Sequence, residues 1–163
     1  MRRLIVGLIV SASIFQAHPL VVDCSDNDTY LSEEIQQICN EVGDEYGICP
    51  ELLMSVIEHE SSGNPKAVSP GGCLGLMQID PRWHKERMER LGVTDLCDPE
   101  QNILTGTDYL MELAEEYGDL YLVLMHYNMT HSKAQELWNQ GKYTKYALSI
   151  SARSAQLERA HGK

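Results

Sequence analysis

No segment of this chain alternates apolar and polar residues with the period of a half-buried strand, whereas apolar residues recur every three or four positions along most of its length. That pattern restricts a globular solution to packed helices. Ile35, Ile38, Cys39, Val42 and Tyr46 define a first amphipathic helix that stops near Gly47, and Pro50 suits the first turn of a second. The second must end at Gly63-Asn64-Pro65, because these breakers force a loop, which continues through a Pro, Gly and Ser-rich stretch to Gly72. After the short apolar run Leu74 to Ile79, Pro81 opens a charged helix through Arg90. Asp98-Pro99 opens another, in which Ile103, Gly106, Leu110, Leu113 and Tyr117 share a face. Gly118 breaks it, Leu120 to Tyr127 is apolar enough for a buried helix, and Ser132-Lys133-Ala134-Gln135 reads as a capping box opening a helix to about Asn139. A last amphipathic helix runs from about Thr144 to near His161. With 163 residues and no internal repeat, the fold expected is mainly α, compact and single-domain.

The N-terminus follows a different rule. Met1-Arg2-Arg3 precedes an apolar run from Leu4 to Phe15, the layout of an export signal and too short to span a bilayer comfortably. Residues 1–17 are therefore read as a signal peptide with an approximate end, 18–30 as a flexible polar tail and 31–163 as the folded domain. The protein is expected outside the cytoplasm or in the cell wall, with retention by an uncleaved N-terminal segment as an alternative. The net charge is −11, and losing residues 1–17 would remove two arginines and no acid. A surface this acidic is repelled by a phosphate backbone, which excludes nucleic acid as a partner. The five cysteines, Cys24, Cys39, Cys49, Cys73 and Cys97, have no zinc-binding spacing. An exported protein permits disulfides, and the pairs expected are Cys39 with Cys49 and Cys73 with Cys97, leaving Cys24 in the tail.

The residue that points to chemistry is Glu60. At about 100° per residue, Leu53, Val56 and Ile57 fall about +20°, −40° and +60° from Glu60, whereas Glu58 falls about 160° away, beside Glu51 and near Ser55. Glu60 thus shares the apolar side of the second helix, and Glu58 is expected in solvent. Burial disfavours the ionised carboxyl and raises its pKa, which equips a glutamate to donate a proton near neutral pH.

Glu60-Ser61-Ser62-Gly63-Asn64-Pro65, followed by Gly75-Leu76-Met77-Gln78-Ile79 and the distal Tyr127-Asn128, resembles the signature of the lytic transglycosylase (SLT) domain of the lysozyme-like superfamily. Asn102, Gly106 and Tyr109-Leu110 match that family's downstream helix. The resemblance implies a lysozyme-like helical fold with a catalytic cleft, and peptidoglycan glycan strands as partner. It implies cleavage of the β-1,4 bond between N-acetylmuramic acid and N-acetylglucosamine, leaving 1,6-anhydromuramoyl ends. Glu60 is the implied catalytic acid; Ser69, Met77, Gln78, Tyr127 and Asn128 are implied substrate contacts, with the Tyr127 hydroxyl near Glu60. No metal and no cofactor is implied. An internal hydroxyl serves as nucleophile in this reaction, so the second carboxylate that two-acid glycosidases place about 5–9.5 Å from the first is dispensable. Two departures stand out. Gly63 replaces a frequent aromatic, and His126-Tyr127-Asn128-Met129-Thr130 lacks the family's closing glycine, where a left-handed residue could be required. Competing readings are a hydrolytic muramidase on the same scaffold and a non-catalytic wall-binding component of a secretion or conjugation apparatus.

Overall fold

The computed structural model describes residues 28–163 and contains seven helices in that range: α1 Glu33–Tyr46, α2 Pro50–Ser61, α3 Lys85–Leu91, α4 Pro99–Tyr117, α5 Leu120–Asn128, α6 His131–Asn139 and α7 Lys145–Ala160. The export signal read at residues 1–17, most of the polar tail and Cys24 lie outside the described residues. Within them, extended structure is limited to isolated bridges joining Leu74 to Val68 and Ile79, and no helix is long and apolar enough to cross a membrane.

Local chemistry sets most helix ends. The side chains of Ser32, Asp98, Asp119 and Thr144 each accept a first-turn amide, satisfying donors that have no partner within the helix. Pro50 and Pro99 occupy first-turn positions, where a missing N–H costs nothing. α6 departs from expectation. It begins at His131, with Thr130 at the cap position and no side-chain cap bond, so Ser132 lies inside the first turn. Only Met129 and Thr130 separate α5 from α6, and both are extended. The closing glycine is therefore not needed here, because neither residue adopts a left-handed conformation.

α2 is the centre of the domain. It packs between α1 and α7, while α4 backs α1 and α5 bridges α4 to α7. Leu53, Val56 and Ile57 of α2, Leu76 and Met77 of the following loop, Ile103, Leu110 and Leu113 of α4, Leu124 and Met125 of α5 and Ile150 of α7 form one fully buried core. Burying each such side chain stabilises the fold by about 1.5–3 kcal/mol.

The opposite side of α2 corrects the expected solvent face. Glu51 and Ser55 are buried, and Glu58 is almost so, because α7 returns across them. Glu58 accepts from Arg153 of α7 at 2.7 and 3.0 Å and from the Thr29 hydroxyl at 2.7 Å. Glu51 is held by the Cys49 thiol, His161 and Lys163 near the C-terminus. Burial pushes the Glu51 carboxyl up, but those hydrogen bonds outweigh it and leave the pKa at about 2. Glu58→Gln should therefore lower stability by about 1–3 kcal/mol, since it removes one charge of a largely buried pair while keeping an acceptor. A thermal melt reads this as a loss of several °C; an unchanged Tm would show that the Arg153 contact contributes nothing.

The cysteine pairing is also corrected: Cys39, Cys49, Cys73 and Cys97 all carry free thiols. Cys39 is sealed in the core, where burial pushes its thiol up to about 12, and the Cys49 thiol donates to Glu51.

Candidate active site

α2 delivers Glu60 in its last turn, and the chain leaves at once through two left-handed residues, Ser62 at φ 53° and Gly63 at φ 76°. A side chain at Gly63 would be strained, and its Cβ would lie 2.8 Å from Leu31. Glu60 is half-buried, and its Oε1 accepts a 2.7 Å hydrogen bond from the hydroxyl of Tyr146 in the first turn of α7. Burial raises the Glu60 pKa; the Tyr146 hydrogen bond and the His59 charge pull the other way, and burial prevails. The Tyr146 ring is buried and meets His59 edge-on at 4.8 Å. Its own pKa is raised by burial and by the nearby Glu60 carboxylate, so it remains a neutral donor.

Tyr146 is the residue that sequence reasoning missed. It stands 86 positions from Glu60. One signal was available: a tyrosine on the apolar stripe of Ala147, Ile150 and Leu157 needs a partner for its hydroxyl once the stripe is buried.

The loop from Gly75 to Gln78 lies across the N-terminal half of α4. Asn102 of α4 fixes it: the amide donates to the carbonyls of Leu74 at 2.9 Å and Leu96 at 2.8 Å, while Oδ1 accepts from Met77 N–H at 2.7 Å. Gly75 (φ 74°) and Gly106 make the approach possible, because a Cβ on Gly75 would sit 2.2 Å from the Asn102 amide and one on Gly106 would sit 2.5 Å from Met77 Sδ. Met77 is consequently sealed in the core, and its side chain does not line the cleft as expected. Its backbone carries the connection instead. The Tyr127 hydroxyl donates to the Met77 carbonyl at 2.8 Å rather than to Glu60, although Tyr127 lies close enough to feel the Glu60 charge.

Gln78, Tyr127 and Asn128 line a cleft of about 720 Å³ together with Cys73, Trp83, His84, Arg87, Tyr109, Glu112 and His131. The Gln78 amide nitrogen donates to Gly75 and Ala67 carbonyls, so the amide oxygen is the atom left for a ligand. Asn128 is exposed in the cleft wall. Ser69 accepts from Cys73 N–H at 3.0 Å, closing the loop beside the cleft. His126 is buried and stacks on Tyr117 at 3.8 Å. The two carboxylates in the cleft lining are already paired, Asp80 with Arg82 at 2.6 Å and Glu112 with Arg87 at 2.7 Å. Asp108, outside that lining, is bound by Arg87 and Arg90. Among the described residues, no group of His, Cys, Asp and Glu is arranged to hold a metal ion.

One carboxylic acid in the last turn of a buried helix, backed by a helical bundle and near enough to the cleft wall for Tyr127 to feel its charge, places the domain among lysozyme-like folds. More narrowly, the chain belongs to the family of Transglycosylase SLT domains, whose model matches residues 37–149. A transglycosylase of Enterobacteria phage PRD1 is 42% identical over 84 residues, spanning 52% of this chain and 30% of the relative. The endo-type membrane-bound lytic murein transglycosylase A of Citrobacter koseri is 37% identical over 90 residues, 51% of this chain and 43% of the relative. The chain thus spans less than half the length of these curated relatives. In fold, it is similar to the 70 kDa soluble lytic transglycosylase Slt70 of Escherichia coli, with a TM-score of 0.67 at 24% identity over 78% of this chain and 24% of that one. It is also similar to an inactive mutant of lytic transglycosylase Slt from Pseudomonas aeruginosa, with a TM-score of 0.71 at 17% identity over 82% and 25%.

Proposed function

We propose that this protein is a peptidoglycan lytic transglycosylase, cutting the β-1,4 bond between N-acetylmuramic acid and N-acetylglucosamine. The observation that carries the reading is Glu60: one carboxyl whose pKa is raised by burial and which is held by Tyr146, with each cleft carboxylate already tied to an arginine. Protonated Glu60 donates to the glycosidic oxygen as the anomeric carbon acquires oxocarbenium character. The resulting carboxylate takes the proton of the muramoyl C6 hydroxyl, whose oxygen attacks its own anomeric carbon and closes the 1,6-anhydro ring. Glu60 is thereby reprotonated, and no water is consumed. The names of the relatives support this chemistry, and their membrane-bound members support action at the cell envelope.

Mass spectrometry of digested sacculi tests the reading, because an anhydro product is lighter by one water than a hydrolytic one. Reducing ends would instead establish the muramidase. Sedimentation with insoluble peptidoglycan and no released fragment would establish the wall-binding component, and co-purification from envelope fractions tests association with a secretion or conjugation machine.

Tyr146→Phe separates positioning from the transferred proton. Losing the hydroxyl should reduce kcat by about 10–100-fold, as removing an orienting partner of a reacting group does. It should also shift the alkaline limb of the pH profile upward. The Tyr146 hydrogen bond lowers the Glu60 pKa, so its removal lets the acid keep its proton to higher pH. A lower kcat with an unmoved limb would show that Tyr146 only packs.

A further inference from the structure

The cleft contains a feature that the reaction at Glu60 does not use. Trp83 is the most exposed large apolar side chain among the described residues, at 81% of its surface, and it lines the cleft. A free indole in water is costly, since this ring buries about 150–250 Å² when it finds a partner. Nor is it on a loose segment. Trp83 N–H donates to the Asp80 carbonyl, and Arg82 clamps the same turn by bonding both Asp80 oxygens and the Gly71 carbonyl at 2.7 Å.

The rings leading to Trp83 form a track. Tyr127, which feels the Glu60 charge, lies 5.4 Å from Tyr109; Tyr109 lies 4.6 Å from His84, the chain neighbour of Trp83. Arg87 covers Tyr109 at 5.1 Å while pairing with Glu112, so the charges along the track neutralise one another. Aromatic faces, the amides of Gln78 and Asn128 and paired charges suit a ligand with apolar faces and a polar rim. A pyranose has that shape. A charged stem peptide would need an unpaired charge in the lining.

We propose that Trp83 is a distal glycan-binding platform: its indole stacks on the face of a neutral N-acetylhexosamine ring at the far end of the track from Tyr127. This deepens the proposed function, on which it rests, by assigning a substrate contact beyond the cut. A contact made equally in ground and transition states affects KM and leaves kcat alone. It matters only for strands long enough to reach it.

Binding can be read without turnover. The chain has two tryptophans, so a Trp138→Phe, Glu60→Gln double variant reports Trp83 emission alone. Titration with chitotetraose should shift and saturate that emission, and a Glu60→Gln, Trp83→Ala double variant, which retains Trp138, should bind the sugar about tenfold more weakly. In an otherwise wild-type enzyme, Trp83→Ala should raise KM for long glycan strands with kcat unchanged and leave the shortest cleavable substrate unaffected. Emission that ignores millimolar chitotetraose, or an unchanged KM on long strands, overturns the proposal. A sugar-dependent shift in the Trp138→Phe, Glu60→Gln variant, with a parent enzyme that releases no anhydro product, would reject the transglycosylase reading and leave the Trp83 assignment standing.

Discussion

Glu60→Gln is expected to reduce release of anhydromuropeptides by about 10³-fold while leaving the fold intact, because a positioned general acid contributes about 10²–10⁴-fold. The substitution is nearly isosteric. Gln can accept from the Tyr146 hydroxyl as Glu60 Oε1 does. Stability should not suffer. Burial raises the folded-state pKa of Glu60 above its unfolded value, so ionising it costs folding free energy that is absent below the unfolded pKa and grows as pH rises through the folded one. A neutral amide avoids that cost, and the variant's Tm at pH 7 should equal or exceed that of the parent, the usual relation between a strained functional group and stability. Activity assays with sacculi and a circular dichroism melt on the same preparation decide the matter. Residual turnover above about a tenth of the parent's would place the acid elsewhere.

The reasons some of this site was legible in sequence, and some not, are geometric. Glu60 could be chosen because its helical neighbours Leu53, Val56 and Ile57 are local, and a helix fixes their relative directions. Most helix ends were legible for the same reason, being set by prolines, glycines and capping side chains within a few residues, although α3 begins at Lys85 and not at Pro81, and α6 at His131, ahead of the expected Ser132 cap. The error over Glu58 has the opposite origin. Its face is covered by α7, about 95 residues later, and no local pattern discloses which helix returns across a polar stripe that Arg153 can neutralise. Tyr146 was missed through the same long separation. Met77 was misplaced because the loop carrying it supplies backbone, not a side chain, to the cleft wall.

Asn102→Ala should be the most destabilising single change in the site's support, lowering stability by about 3–5 kcal/mol and Tm by about 10–20 °C. Asn102 is 1% exposed and makes three hydrogen bonds, each to a backbone group of the loop segments it joins. Truncation would leave the Met77 N–H and the Leu96 carbonyl without partners and the Leu74 carbonyl with Ile79 N–H alone, at about 1–3 kcal/mol for each orphaned group that water does not reach. The effect should extend beyond stability. Met77 offers its carbonyl to Tyr127, so releasing Met77 N–H loosens the wall that Tyr127 and Gln78 build. At temperatures well below its Tm the variant should therefore keep its helical circular dichroism and still lose activity. Asn102→Asp provides the sharper discrimination. A carboxylate can accept from Met77 N–H but cannot donate to the two carbonyls, and it sets a buried charge against their oxygens. It should melt no higher than Asn102→Ala; a melting point near the parent's would mean that the Leu74 and Leu96 bonds contribute little, and that Met77 N–H alone holds the loop.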